Sequence, residues 1–410
     1  MMRVVLIGAT GAFGSRLARA LSQVSNIELV LTSRSLDRAE QLANAISSTD
    51  SRAHITACAF EHTADARHSF KKLTPWLVID ASGPFQSARY ASAEAAIDVG
   101  AHWIDLADAT NYVLSFADAL NARARQQGVV AITGASSTPA LSYAVAESLT
   151  RGWKLVESID IAIYPGGDAQ VGRAVLEAVL SYAGSPVPVW QNNKAATVVG
   201  WGTLQRTVIP HLGVRYRAPV ATADAAILPA TLGVANISFD AGLESRLEQF
   251  GLLILAQLRK QGWLRHPERL APLLLRARSL TRLFANDTGG MTVCAQGFDA
   301  LGKPVCARWQ LTARNGDGPN VPILPALAAV RRLLKDDFAP SARHAAGLLS
   351  LNEIEAEMAP YSLETAASYS EMAVARTTCG QSCDPETFMR QLIDRQRSIE
   401  VCQRSYLRSE

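Results

Sequence analysis

Residues 3–14 read Arg3-Val-Val-Leu-Ile7-Gly8-Ala-Thr10-Gly11-Ala12-Phe13-Gly14, a β-branched apolar run that breaks on a glycine. A helical pattern follows, with Phe13, Leu17, Leu21 and Val24 on one face. Strand, glycine turn and helix in that order are the setting in which backbone amides and a helix N-terminus hold a pyrophosphate. A side chain at a glycine position would block the approach. Gly8, Thr10, Gly11, Ala12, Phe13 and Gly14 are therefore the expected phosphate-binding residues of a dinucleotide site.

The same rhythm runs on downstream. Apolar strand patterns occur at Ile27 to Leu31, His54 to Ala59, Trp76 to Asp80, Trp103 to Asp105 and Val129 to Thr133. Helical patterns lie between them, over about 36–46, 87–99 and 111–127. Alternation of this kind predicts an α/β domain over residues 1–150, a doubly wound parallel sheet of the Rossmann type.

The end of the second strand decides which nicotinamide cofactor fits. An acid there would hold the ribose 2′-hydroxyl of NAD and repel a 2′-phosphate. The chain instead reads Leu31-Thr-Ser33-Arg34-Ser35, with no acid before Asp37. Arg34 can pair with a phosphate, and Ser33 and Ser35 can add hydrogen bonds, so NADP is expected over NAD. At the end of the fourth strand comes Ala81-Ser82-Gly83-Pro84-Phe85-Gln86. Ser82, Gly83, Pro84 and Phe85 are expected to floor the nicotinamide end of the cofactor, because ligands bind at strand carboxyl ends in open α/β sheets.

Beyond residue 150 the strands lengthen and gain a polar face. Patterns at 158–164, 194–199, 203–209, 291–298 and 305–313 predict a second, α+β domain over 151–325, built on a mainly antiparallel sheet and serving substrate binding or dimerisation. A Leu-rich, Arg-rich helical insertion interrupts it at 243–284. A C-terminal helical segment over 326–410 is expected to pack back on the first domain, ending in a helix from Asp384 to about Tyr406.

Composition limits the partners. The chain has 410 residues, 48% hydrophobic and 19% charged, with 40 basic and 37 acidic side chains interspersed to a net +3. No global field selects nucleic acid. Mean hydropathy is +0.07, yet apolar runs such as Gly251 to Ala256 fall far short of the roughly 20 residues that cross a bilayer. Six irregularly spaced cysteines and the lack of a signal-like N-terminus point to a reducing cytoplasm. Cys379 and Cys383 have no neighbouring histidine, and no metal site is expected. Leucines and cations over 250–284 offer either a packing and dimer face or a peripheral contact with an anionic membrane. A homodimer acting on a small-molecule substrate is expected.

Together these motifs resemble the saccharopine dehydrogenase-like family of NAD(P)-dependent oxidoreductases. The likeness rests on the glycine turn, Arg34, the Ala81 to Phe85 loop and Gly100-Ala-His102-Trp103-Ile-Asp105-Leu106. It extends through Gly302-Lys-Pro304, Trp309-Gln-Leu and Gly316-Asp-Gly318-Pro319, so that about residues 1–360 are covered. Trp103 stands where the family has Tyr, and Ala107-Asp108 where it has Gly-Glu. The resemblance implies hydride transfer to or from a C=N or C=C bond of a small metabolite. Its members act on widely different substrates, enoyl groups of lipid intermediates included, and a non-catalytic NADP-binding scaffold is the competing reading.

Chemistry at the carboxyl edge falls to Asp105, Asp108 and Tyr112, with Asp105 also read as a cofactor contact. Ser136, Ser137 and Thr138 lie nearby, and His102 reads as a core residue. From the second domain Arg173 is the expected catalytic contributor, suited to a substrate carboxylate, and Tyr164 and His211 are further candidates to face the cleft. None of the nine tyrosines is followed four residues later by Lys, the pair short-chain dehydrogenases use.

Overall fold

The computed structural model describes residues 1–48, 51–61, 66–86, 89–167, 173–281 and 286–371, without the side chains of 173–175, 178 and 277–281. The first sheet is all parallel. Its strands β1 (Met2–Ile7), β2 (Ile27–Ser33), β3 (His54–Ala59), β4 (Leu77–Asp80), β5 (His102–Asp105) and β6 (Val130–Thr133) lie in the spatial order β3-β2-β1-β4-β5-β6. This is the Rossmann order, with its reversal of winding between β1 and β4. Consecutive residues Val4, Val5, Leu6 and Ile7 are all buried, as a strand covered on both faces requires.

Helices α1 (Gly14–Leu21), α2 (Leu36–Ser47), α3 (Ala66–Leu73), α4 (Ala91–Asp98), α5 (Thr110–Gln127) and α6 (Ser142–Thr150) supply the crossovers and lead out of the sheet. The sequence pattern missed α3, whose buried side is only Ala66 and Phe70 among charged neighbours. Ser35 starts α2 by accepting the Arg38 amide on its hydroxyl.

The second sheet is mixed. It contains β7 (Leu155–Tyr164), β8 (Pro186–Gln191), β9 (Lys194–Val199), β10 (Gln205–Ile209), β11 (Gly213–Pro219), β12 (Asn236–Ala241), β13 (Gly289–Phe298) and β14 (Pro304–Ala313). The main path runs β10-β11-β12-β7-β13-β14, with β8 and β9 attached beside β12. All pairs are antiparallel except β7 with β12. One face, carrying Ile159, Ile161, Val293, Trp309 and Leu311, shares a continuous core with the first sheet and its helices. Alternate residues Asp160, Tyr164, Thr292, Gln310 and Thr312 point to the opposite, outer face.

Among the described residues four helices complete this half, up to residue 281. They are α7 (Arg173–Tyr182), α8 (Asp224–Leu232), α9 (Arg246–Lys260) and α10 (Ala271–Thr281), the last two joined through a 3-10 turn at Pro267–Leu270. Leu252, Ala256 and Ala271 pack with Leu180 and Trp201, so the Arg-rich insertion is anchored on the inner side of the sheet. Its other side leaves Leu247, Phe250, Ile254, Trp263 and Leu273 exposed.

The segment after 325 corrects the expectation of a helical tail. It does carry helix, α11 (Leu324–Leu333) and α12 (Leu351–Ala356), but also two strands. β15 (Ser341–His344) joins the first sheet in parallel with β6. β16 (Leu363–Glu371) extends the second sheet antiparallel to β14. Both are polar strands that complete an edge, so neither shows the apolar run that marks a buried strand. Cys379, Cys383 and the helix expected from Asp384 lie outside the described residues.

Candidate active site

Because the first sheet is parallel, the carboxyl ends of β1, β2, β4, β5 and β6 line one edge. The glycine turn leaves β1 there. Gly8 has φ +72°, and a Cβ on it would stand 2.6 Å from Ser82 Cα. The turn and the loop after β4 therefore touch backbone to backbone across the point where the winding reverses, and only glycine allows it. A Cβ on Gly14 would stand 2.1 Å from the Gly8 carbonyl oxygen, so Gly14 lets α1 close onto the turn. Gly11 is exposed, leaving its face free for a ligand. The Ala12 and Phe13 amides, just ahead of α1, donate to no backbone acceptor among the described residues. Unpaired amides at a helix N-terminus are what a pyrophosphate takes.

At the end of β2, Thr10 and Ser33 share a hydrogen bond of 3.1 Å between hydroxyls. The Ser35 amide points at Ser33 Oγ from 3.4 Å. Arg34 is exposed and makes no ion pair with a described residue. Hydroxyls, amides and an exposed guanidinium in one place can take an oxyanion. The loop after β4 is fixed by Asp80, whose Oδ1 accepts from the Ser82 amide at 2.9 Å and the Ser82 hydroxyl at 2.6 Å. Gly83 and Pro84 are exposed beyond it, whereas Phe85 is turned inward onto Tyr112, 5.4 Å between ring centroids.

The candidate acids separate sharply. Asp105 is fully buried. Its Oδ1 accepts from Thr133 Oγ1 at 2.7 Å and from the Gly134 and Ala107 amides at 2.9 and 3.0 Å, and its Oδ2 from Trp103 Nε1 at 2.9 Å. Burial outweighs these bonds and pushes its carboxyl up to about 6. Reading Asp105 as a cofactor contact or acid catalyst is corrected here: its acceptor sites are taken, and it ties the ends of β5 and β6 together. The bond from the Trp103 indole N–H is made within β5 itself and occupies the second carboxylate oxygen. Tyr112 is corrected likewise. It is buried in a cluster with Phe85, Tyr90 and Phe116, and burial beside Asp105 and Asp80 drives its phenol far up.

Asp108, three residues on, reaches water. Gln86 Nε2 approaches its Oδ1 at 3.5 Å. Protein walls around the carboxyl raise it above its ordinary range, with Gln86 opposing the rise. The opposite wall is Tyr182, the last residue of α7, whose phenol is raised by burial and by the Asp108 carboxylate while it pairs with Gln86. Tyr182 escaped the sequence reading because α7 did: its first turn holds no acid and its last turn no base. An isolated aromatic between two strand patterns gave no signal.

The remaining candidates scatter. Arg173 opens α7, but its side chain lies outside the described residues. His102 accepts the Val130 amide on Nδ1 at 3.0 Å and is a partly buried strand residue. Ser136 is buried, and Ser137 and Thr138 are partly so. Tyr164 and His211 do not face the cleft, because both lie on the outer side of the second sheet, Tyr164 packed with Ile209 and Leu212. Among the described residues no group of acids, cysteines and histidines is placed to hold a metal.

Comparison with known proteins agrees with this architecture. The apo saccharopine dehydrogenase (L-Glu forming) of Saccharomyces cerevisiae superposes over 90% of this chain and 100% of its own, with TM-score 0.63 at 12% identity. This chain has the saccharopine dehydrogenase fold. The superposition covers enough of the chain to take in both the Rossmann sheet and the second, mixed sheet. An amine dehydrogenase from Mycobacterium smegmatis aligns over 84% of this chain and 95% of its own, at 11% identity and TM-score 0.46. The KR domain family model matches residues 3–99, the stretch from β1 to the end of α4. No curated protein matches the chain.

Proposed function

We propose that the protein is an NADP-dependent oxidoreductase that transfers hydride to or from a C=N or C=C bond of a small metabolite. The observation that carries this reading is the continuity of one edge: amides at 12–13 with no backbone acceptor among the described residues, an exposed Arg34, the loop at 82–85 and the Asp108–Tyr182 cleft stand along the same row of strand ends. Ala12 and Phe13 bind the pyrophosphate, Thr10, Ser33, Arg34 and Ser35 bind the 2′-phosphate, and Ser82, Gly83 and Pro84 support the nicotinamide. When bound, NADPH supplies the hydride. Asp108 supplies or takes the accompanying proton at its carboxyl, and its raised range keeps it protonated to higher pH, as a general acid needs. Tyr182 holds substrate against Asp108 from the second half and stays protonated throughout.

Binding of NADPH and NADH to the wild type and to Arg34→Asp tests the cofactor assignment. NADPH affinity is expected to fall at least about tenfold while NADH binding holds or improves. Equal NADPH affinity in both proteins overturns it. A scaffold that turns nothing over would bind NADPH yet consume none with any imine or enoyl compound.

A second reading concerns the insertion. Exposed Leu247, Phe250, Ile254, Trp263 and Leu273 sit among exposed Arg246, Lys260, Arg265, Arg269 and Arg276. Apolar side chains ringed by cations suit the interface of an anionic bilayer. This supports peripheral membrane contact, and with it access to a lipid-like substrate. Flotation with phosphatidylserine vesicles at low salt tests it, and no co-flotation removes it.

A further inference from the structure

The hairpin β10–β11 curls over the outer face of the second sheet. Its tip, Pro210 and His211, is fastened there by Gln310, whose Nε2 donates to the Pro210 carbonyl at 2.9 Å. Leu212 adds an apolar anchor with Tyr164 and Ile209. Between this tip and strands β14 and β16 lies a cavity of about 340 Å³. It is on the face turned away from the first sheet, with the shared apolar core between it and the cofactor edge.

Its floor is set by register. Arg308, Gln310 and Thr312 alternate along β14 and stand opposite Ser368, Ala366 and Glu364 of β16. Arg308 is half-buried, and its Nε is shielded from water with no hydrogen-bond partner. No acid is paired with it among the described residues. Asp160 is taken by Arg217 and by the Ser238 hydroxyl at 2.7 Å. Glu364, on the rim, is turned to Arg314 at 3.5 Å. A shielded guanidinium Nε–H left without an acceptor, on a cation with no counter-charge among the described residues, is a costly arrangement unless an anion completes it. Hydroxyls stand at both ends of the row, Ser368 directly across from Arg308 and the buried Thr312 further along.

We propose that this cavity is a second ligand site, for a small oxyanion held by Arg308. The guanidinium fork takes two oxygens of a carboxylate or phosphate, and Ser368 donates a further bond from the facing strand. The site is independent of the cofactor reading, since it uses no residue of the cleft.

The test compares wild type with Arg308→Gln in thermal unfolding, titrating sodium phosphate and sodium malonate separately at constant ionic strength. Wild type is expected to gain a saturable rise, on the order of 2 °C at tenfold excess over the dissociation constant. Arg308→Gln should lose that rise while binding NADPH as before. Phosphate also fits the glycine turn, so the difference between the two proteins is what counts. A response to phosphate alone identifies a phosphate site, and one to malonate a carboxylate site. Ser368→Glu, which places a carboxylate across from Arg308, should raise Tm without ligand and abolish the response. Equal responses in wild type and both variants, or no saturable response in wild type, overturn the proposal.

Discussion

The carboxyl edge of the first sheet and the outer face of the second both gather polar groups, and they do so by opposite means. At the edge, strands end, and backbone amides and loop side chains are left over for a ligand. On the face, strands continue, and polar side chains are delivered by every second residue of an unbroken ladder. Groups at an edge can be displaced with little cost to the fold. Groups on a covered face are costly unless something satisfies them, as Asp160 and Asp240 do for Arg217.

The strongest way to break this contrast is on the face. Arg217 is buried and holds both carboxylates, with Gln205 Oε1 at 2.9 Å from its Nε. Arg217→Met should destabilise by about 3–5 kcal/mol, because two acids are left without their cation. Urea unfolding would read the loss, and a change below about 1 kcal/mol would show that the face tolerates unpaired charge.

At the edge the largest effect belongs to the backbone. Gly8→Ala drives a Cβ into Ser82 and into a disfavoured φ, so NADPH affinity should fall by about a hundredfold or more, roughly 3 kcal/mol. Asp108→Asn comes next. It should lower turnover by about a hundredfold, with unfolding unchanged. Asp105→Asn should do the reverse in kind, shifting stability through the Thr133 and Gly134 bonds. If both substitutions acted on turnover alone, the separation of Asp105 from Asp108 would fail.

The smallest effect sharpens the comparison through pH. Burial pushes the Asp240 carboxyl up to about 6 against the pull of Arg217. Its folded value lies above its unfolded one, so the stability linked to it is full below about pH 4 and is lost as pH rises through about 6. Asp240→Asn should flatten that slope, by an amount on the order of 2 kcal/mol. Unfolding at pH 4.5 and 7.5 measures it.

The edge was legible in the sequence and the face was not, for a physical reason. Gly8, Gly11 and Gly14 are demanded by one local turn, so their spacing shows in a single stretch of chain, and Arg34 shows by its place just after the β2 run. The central strands of the first sheet were recognisable because both faces are covered and most of their residues are apolar, and β3, only partly covered, showed by its position in the alternation. Asp105 and Asp108 look alike in sequence, and only the approach of Thr133 and Gly134 from β6 tells them apart. On the second sheet, β11 and β12 escaped notice because Arg215, Arg217, Ser238 and Asp240 make buried strands look like loops. Arg217 and Asp240 neutralise each other across the strands, and Asp160 of β7 completes the group. Tyr182 depends on how two halves of the chain meet, which no periodicity encodes.

The late return of the chain to its first sheet also has a consequence for biosynthesis. Ser341 is registered with Val130, and the Ala342 amide donates to Asn121 Oδ1 at 3.0 Å. While the nascent chain is emerging from the ribosome, the β6 flank of the nucleotide-binding half stays open until some two hundred further residues have been made. An unpaired flank of that kind recruits other chains. A truncation just after α6 would present it permanently, so the first half is expected to be insoluble by itself and to need residues up to about 344 supplied in cis or in trans.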